Sequence, residues 1–193
     1  MENLKLISLK RFFLLLLSIY ISSFVSAAWT PIIHHYTPKN YEAGTQNWDI
    51  VEQANGWMYI ANNYGLLETD GCRWNLYGIN NSSALRSVTL DNEGNIYVGG
   101  TDEFGVFVAD GLGRLKYENL SMYVPSSYRN FGEVWRLQVA ENKLYVQTRH
   151  YIFIYKKGEG IEVIDPGAII YESLVWEGNL YVATSRDLYV QSG

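Results

Sequence analysis

The sequence predicts an all-β protein built from a repeated four-stranded antiparallel unit, and two observations support this prediction. The first is the composition, because the 193 residues include 16 tyrosines, 6 tryptophans and 17 glycines but only 4 prolines. Aromatic residues favour strands, and glycine favours the turns that join them. The second is an internal repeat, in which a tyrosine recurs at the centre of an apolar triplet. The repeat tyrosines are Tyr59, Tyr97, Tyr145 and Tyr181.

Each copy of the repeat has the same order of turns and apolar runs. A turn sequence such as Asn55-Gly56 comes before each triplet, and asparagine and glycine tolerate the positive φ angles of tight hairpins. A second apolar run, such as Val106-Phe107-Val108, follows each tyrosine. Four-stranded units of about 40 residues are typical of β-propeller blades. We therefore expect about 3.75 blades, at residues 48–79, 85–120, 134–165 and 171–193, in an incomplete propeller whose last blade has no fourth strand.

The first 27 residues have the pattern of a secretory signal peptide. Lys5, Lys10 and Arg11 form a basic segment, an apolar stretch runs from Phe12 to Val25, and small residues follow at Ser26-Ala27. The apolar stretch is short for a bilayer span, which needs about 20 residues. We expect a cleaved signal peptide at 1–27, a lead-in segment at 28–47 and a periplasmic mature protein. A retained N-terminal anchor is the alternative.

Charge and cysteine content exclude several classes of protein. Fifteen basic and 20 acidic residues give a formal net charge of −5, which is unfavourable for general binding to nucleic acid. The single cysteine, Cys72, excludes an intrachain disulfide framework and a zinc site made of cysteines. A hydrophobic content of 48% excludes intrinsic disorder.

The repeats resemble a known family, the two-component regulator propellers. The resemblance rests on Trp48-Asp49-Ile50, Gly56 to Tyr59, Ala61-Asn62, Gly65 to Glu68, Asp70-Gly71, Trp74, Arg86-Ser87 and Ile96 to Gly100. Members of this family form the periplasmic sensor regions of bacterial hybrid two-component regulators and of triple-tyrosine transcriptional regulators. The resemblance implies an N-terminal sensor fragment that is followed by more blades, a tyrosine-rich domain, a membrane span and a cytoplasmic output module.

The number of blades leaves two interpretations open. Fewer than four complete blades do not close a ring of the usual six to eight, so we expect open sheet edges that pair or aggregate. A truncated reading frame or an excerpt of a larger receptor is the favoured explanation. The alternative is a small four-bladed protein, in which a strand from Pro31 to Tyr36 would complete the last blade.

The loops after the second and fourth strands of each unit are the predicted binding face. In an antiparallel meander they lie at one end, and the tight turns after the first and third strands lie at the other. Binding residues concentrate on loops that a rigid scaffold presents. The candidate ligand-binding residues, from loops at 62–64, 101–104, 148–150 and 185–187, are Asn63, Tyr64, Asp102, Glu103, Phe104, Arg149, His150 and Arg186.

These residues suit a ligand-sensing function. Aromatic rings, guanidinium groups and amides can bind an oligosaccharide or a peptide. The sequence contains no G-x-S-x-G or H-E-x-x-H motif and no phosphate-binding loop, so we expect no catalytic centre, metal site or cofactor. We expect an exported, non-catalytic sensor segment for a glycan-type signal. Its partners would be the downstream domains of a larger receptor, with no direct nucleic-acid contact, and with membrane contact only through later segments or an uncleaved signal peptide. The alternatives are a propeller enzyme acting on polysaccharide, a lyase or hydrolase, and a protein-interaction scaffold.

Overall fold

The computed structural model describes residues 2–22 and 31–192, which belong to two compact units. The first unit ends at His35 and contains the helix α1 (Glu2–Ser22), which includes the basic residues and most of the apolar stretch noted in the sequence. The predicted cleavage site at Val25-Ser26-Ala27 lies outside the described residues. Within the two described ranges, none of the helices has both the length and the apolar character that crossing a bilayer requires.

The second unit contains a short helix, α2 (Pro38–Tyr41), and four antiparallel sheets. The first two sheets consist of β1 (Asn47–Glu52), β2 (Met58–Asn62), β3 (Gly65–Thr69) and β4 (Trp74–Tyr77), and of β5 (Ser87–Leu90), β6 (Ile96–Gly99), β7 (Phe104–Ala109) and β8 (Leu115–Asn119). The other two consist of β9 (Arg136–Ala140), β10 (Lys143–Gln147), β11 (Ile152–Lys156) and β12 (Gly160–Ile164), and of β13 (Ile170–Trp176), β14 (Asn179–Thr184) and β15 (Leu188–Ser192).

Each sheet is a meander, in which every strand pairs with the next one in the chain. The first strands of successive sheets contact one another: β1 contacts β5, β5 contacts β9, and β9 contacts β13. The first strands are therefore the inner strands of four blades arranged around an axis. This arrangement confirms the predicted all-β propeller fold, and the sheets do not close into a ring.

Carboxylates organise the tight turns that the sequence predicts. In the turn between β3 and β4, Asp70 Oδ1 accepts hydrogen bonds from the backbone N–H groups of Cys72 and Arg73. Asp110 has the same role in the turn between β7 and β8, where it accepts from the N–H groups of Leu112 and Arg114. Where a strand ends, its backbone N–H groups lose their hydrogen-bond partners on the neighbouring strand. The aspartate side chains accept from these groups in the turns, so the chain reverses direction without unsatisfied donors.

Three apolar clusters fill the spaces between neighbouring sheets. The cluster between the second and third sheets is the most aromatic, and its Phe104, Phe131 and Phe153 rings have centroids 5.0 to 6.0 Å apart. Similar clusters lie between the first and second sheets and between the third and fourth. A β-sheet buries an apolar face only against another layer, so each blade depends on its neighbours.

The repeat tyrosines take part in this packing between blades. Tyr59 is buried against residues of the second sheet, and Tyr145 is buried against residues of the fourth. Two of the hydroxyl groups donate to polar partners on the tight-turn side: Tyr59 donates to Gln53 Oε1 over 3.4 Å, and Tyr97 donates to Asp91 Oδ2 over 3.2 Å. Burial, followed by the charge of Asp91, raises the pKa of Tyr97.

Glu68 and Tyr77 form a further polar contact on β3 and β4. The Tyr77 hydroxyl donates to Glu68 Oε2 over 2.8 Å, and Asn75 Nδ2 donates to the same oxygen over 2.9 Å. Burial, and then the hydrogen bond and charge of Glu68, raise the pKa of Tyr77 to about 12 from its usual 10.0. The protonated phenol is therefore the form that the folded state favours.

The structure differs from the sequence-based prediction in two places. Residues 31–37 form no strand, so the proposed Pro31 to Tyr36 strand does not complete the last blade. Instead, Tyr36 and Tyr41 pack their rings on Trp74 of β4, and the Tyr36 hydroxyl donates to the Gly71 carbonyl. The strand β7 begins at Phe104, which was assigned to a loop. The connection between β8 and β9 contains two short 3₁₀ turns, Ser121–Tyr123 and Ser126–Tyr128.

Truncating the aromatic core between the second and third sheets should destabilise the fold. We expect Phe153→Ala to lower the free energy of unfolding by about 3–5 kcal/mol, because the fully buried ring leaves a cavity that rigid strands do not fill. Urea denaturation followed by circular dichroism measures this loss. The control Tyr64→Ala changes an exposed side chain and should shift stability by less than about 0.5 kcal/mol. Equal losses for both variants would contradict the proposed core.

Stability should also fall in strong alkali. Tyr77 has a higher pKa in the folded state than in the unfolded chain, so its contribution is complete below pH 10.0 and is lost as the pH rises through about 12. Denaturation curves recorded at successive pH values across this interval measure the slope. In Tyr77→Phe the slope should be shallower than in the wild type, and an unchanged slope would show that Tyr77 does not contribute.

Candidate functional site

Four equivalent positions at the start of the inner strands carry three aromatic rings and one guanidinium group. In each sheet, the residue two positions after the repeat tyrosine pairs with a residue of the first strand, as Ala61 pairs with Asp49. The position in question comes immediately before that first-strand residue. The register is irregular at this point in the first and fourth sheets, and such bulges redirect a side chain. The four residues are Trp48, Arg86, Trp135 and Tyr171.

Arg86 connects three blades at this end of the propeller. Its Nε and Nη2 atoms donate to Glu133 Oε1 over 2.9 and 2.7 Å, and its Nη1 donates to Asn63 Oδ1 over 3.3 Å. The guanidinium carbon lies 4.1 Å from the ring centroid of Trp48 and 5.8 Å from that of Trp135. Planar stacking on an aromatic face is a contact that arginine makes and lysine does not reproduce.

The two tryptophans complete the group of residues that we call the rim cluster: Trp48, Asn63, Arg86, Glu133 and Trp135. The Trp48 Nε1–H donates to Asn63 Oδ1 over 2.8 Å, and the Trp48 and Trp135 rings meet edge to face with centroids 6.3 Å apart. Each of the two tryptophan residues is 42% exposed. Polar contacts therefore join Trp48, Asn63, Arg86 and Glu133, and the two tryptophans present aromatic surface to solvent.

A pocket of about 350 Å³ lies next to the rim cluster, between the third and fourth sheets. Trp135 and Tyr171 supply aromatic surface to it, and Arg136, Arg149 and Glu172 supply charge. A second pocket of about 420 Å³ shares Trp135 and Arg136 and extends toward Trp48. Trp135 and Arg136 are therefore walls of both cavities, and we call the surface formed by the rim cluster and the first pocket the inner rim.

Two of the charged groups in the first pocket form an ion pair with each other. Arg136 Nη1 lies 2.9 Å from Glu172 Oε1, and both side chains remain about half exposed. Gln147, on the floor, accepts a hydrogen bond of 2.6 Å from the buried Ser173 hydroxyl. Exposed ion pairs contribute little to stability, so these groups can exchange partners at low cost. A ligand with hydroxyl or carboxylate groups can bind them while a ring stacks on Trp135 or Tyr171.

Three of the residues predicted from the sequence have structural contacts instead. Phe104 is fully buried in the core, so its ring offers no stacking face to a ligand. Glu103 is 3% exposed, and its two carboxylate oxygens accept the N–H groups of Asn80 and Asn81, which fixes the loop between β4 and β5. Asp102 accepts from the Gly132 N–H over 2.7 Å and so holds the connection that leads to β9.

The other predicted residues divide between the pocket and the outer surface. Asn63 belongs to the rim cluster, and Arg149 lines the first pocket. Tyr64 is 67% exposed, and His150 and Arg186 are also exposed on loops, but none of the three lines either rim pocket. Of the five, Arg149 therefore lines a rim pocket, Asn63 contacts Trp48 and Arg86 beside the pockets, and the remaining three lie away from both cavities.

Most of the rim residues were not among the predicted binding residues, because the predicted residues all came from loops. Trp48, Arg86, Trp135 and Tyr171 stand at the beginning of the inner strands, where the predicted strand A covers or adjoins them. Alignment of the repeats on their tyrosines does contain a signal, since an aromatic or cationic residue recurs at one register position. That position is only recognisable when the bulges in the first and fourth sheets are known.

Comparisons with solved structures identify the fold. The extracellular domain assigned to a hybrid two-component system of B. thetaiotaomicron is 18% identical, with a TM-score of 0.57, and the match covers 78% of this chain and 21% of that domain. The WD40 β-propeller domain of Doa1 is 13% identical, with a TM-score of 0.61, over 79% of this chain and 52% of that one.

Propellers with a catalytic function are similar as well. A catalytically inactive variant of virginiamycin B lyase from Staphylococcus aureus, solved with quinupristin, is 12% identical, with a TM-score of 0.56, over 77% of this chain and 56% of that one. The chain thus spans about a fifth of the sensor domain and about half of the other two proteins. No protein-family model and no curated protein sequence matches it. At these identities the likeness establishes a β-propeller fold.

Replacing Arg86 with lysine should weaken the rim cluster. We expect Arg86→Lys to lower the free energy of unfolding by about 1–2 kcal/mol, because lysine loses both the forked contact to Glu133 and the stacking on Trp48. Urea denaturation measures the loss, and the emission of the exposed indoles should change with it. Arg73→Lys, at a side chain that is 85% exposed, is the matched control and should be nearly neutral. A neutral Arg86→Lys would show that the cluster does not brace the blades.

Proposed function

We propose that this chain is the ligand-sensing propeller segment of an exported bacterial signal-transduction receptor, and that it recognises a glycan-type ligand without chemical conversion. The binding surface would be the inner rim, formed by the rim cluster and the pocket beside Tyr171. Transmission to a membrane span and an output module would depend on downstream domains of a larger receptor. The resemblance of the repeats to two-component regulator propellers and the likeness to extracellular sensor domains support this proposal.

The pocket at Trp135 is the observation that carries the proposal. Carbohydrate ligands combine apolar ring faces with many hydroxyl groups, and they need flat aromatic surface together with forked donors and acceptors. Trp135 and Tyr171 supply the surface, while Arg136, Arg149 and Glu172 supply the polar groups within one cavity of about 350 Å³. Carboxylate-bearing sugars fit best, because the two guanidinium groups outnumber the single carboxylate.

A propeller enzyme acting on polysaccharide, such as a lyase, is the second candidate, and propellers that are lyases of streptogramin B and virginiamycin B are among the similar structures. Such an enzyme needs a proton-accepting group at the substrate. The first pocket has Glu172 as its carboxylate, and Arg136 holds it in an ion pair. Incubation of the full chain with acidic polysaccharides, followed by chromatography of the products, distinguishes the two candidates.

Loss of pocket residues should weaken ligand binding without unfolding the protein. We expect Tyr171→Ala and Arg149→Ala each to reduce the affinity for an acidic oligosaccharide by at least about tenfold, which corresponds to about 1.4 kcal/mol. Isothermal titration calorimetry of the full chain against a panel of acidic and neutral oligosaccharides provides the measurement. Both residues are exposed, so the unfolding free energy should change by less than about 0.5 kcal/mol.

Tyr64→Ala is the matched control, because Tyr64 is an equally exposed tyrosine at the same end that lies outside both rim pockets. It should leave the affinity unchanged. Equal losses in Tyr64→Ala and Tyr171→Ala would place binding elsewhere on this end. Absence of binding by every oligosaccharide tested would overturn the proposed ligand class, and product formation would favour the lyase.

A further inference from the structure

A third cavity, of about 470 Å³, lies between the first and second sheets at the opposite end of the propeller from the inner rim. Its walls come from the tight-turn side of both blades, and they include the exposed turn residues Asn55 and Gly113, so the cavity is open to solvent. Trp57, Tyr59 and Tyr77 are the aromatic residues that line it. The rim proposal uses none of these residues.

Glu68 lines the same cavity, and this residue is only 7% exposed. Its Oε2 atom accepts hydrogen bonds from Tyr77 and Asn75, which are neutral groups. In the part of the chain that the structure describes, no lysine, arginine or histidine forms an ion pair with it. A buried carboxylate without a cation is costly, and buried charges in proteins are usually paired.

Arg114 is the basic residue that lines this cavity, and it is engaged elsewhere. Its Nε and Nη2 atoms lie 3.0 and 2.9 Å from Asp110 Oδ2, within its own turn. Its side chain is 70% exposed, so it stands at the mouth of the cavity. The charge of Glu68 inside the cavity therefore remains available to a positively charged group from solution.

We propose that this cavity binds a small organic cation whose alkylammonium group contacts Glu68 and the rings of Trp57, Tyr59 and Tyr77. Aromatic rings attract an ammonium group through their quadrupole, and the attraction increases when the cation is desolvated. A carboxylate among such rings adds the opposite charge. The neutral phenols of Tyr59 and Tyr77 are consistent with this role, because they leave Glu68 as the charge that faces the ligand.

Choline and its uncharged isostere 3,3-dimethyl-1-butanol test the proposal on the full chain by isothermal titration calorimetry. The two molecules have nearly the same shape, so a difference between them reports the positive charge. We expect choline to bind at least about tenfold more tightly. Equal affinities, or no detectable binding of choline, would overturn the proposal.

Substitutions locate the site. Glu68→Gln keeps an oxygen that accepts from Tyr77 and Asn75 and removes only the charge, so we expect folding to be retained and choline affinity to fall at least about tenfold. Glu162→Gln is the control, at an exposed carboxylate on the third sheet, and should leave binding unchanged. Trp57→Leu should also lower the affinity for choline. Undiminished binding in Glu68→Gln would place the cation elsewhere and overturn the assignment.

Discussion

Burial of apolar side chains between neighbouring sheets is the constraint on which the rest of this structure depends. A single four-stranded meander has two faces and cannot bury either of them alone. Phe104, Phe131 and Phe153 pack between the second and third sheets. Tyr59 packs between the first and second sheets, and Tyr145 packs between the third and fourth. Each interface is formed by the broad face of a twisted sheet. The blades therefore lie side by side around an axis, with their first strands innermost.

The two ends of this arrangement differ in chemistry because the connections at each end differ in length. At the rim, longer loops leave the start of each inner strand open, and the large polar and aromatic side chains of Trp48, Arg86 and Trp135 fill the space near the axis. At the opposite end, tight turns bring carboxylates close to the backbone and to tyrosine hydroxyls, as with Asp110 and Glu68. Each end therefore holds a cavity with its own charge and its own candidate ligand chemistry.

Local sequence information predicted the fold to the level of single strands. Strand alternation and turn residues depend on the φ angles and pairing of adjacent segments, so Asn55-Gly56 and Asp110-Gly111 indicated their hairpins without any knowledge of distant contacts. The recurrence of Tyr59 and its equivalents then indicated blades, since a repeated unit requires a repeated interface. Loop position also indicated that Asn63 and Arg149 would lie at the rim end, where Asn63 contacts Trp48 and Arg149 lines a pocket, while their role in ligand binding stays a prediction.

The sequence by itself therefore determined the strands, the turns and the repeated blade, whereas the tertiary structure decided which polar residues line cavities and which ones hold the backbone. Glu103 and Arg149 both look like binding residues in a loop, yet Glu103 caps the backbone of Asn80 and Asn81 and Arg149 faces a pocket. Arg86 and Glu133 are 47 residues apart, and only the packing of blades brings them to 2.7 Å. Contacts between distant residues depend on the relative placement of whole sheets, and no local pattern in the chain records that placement.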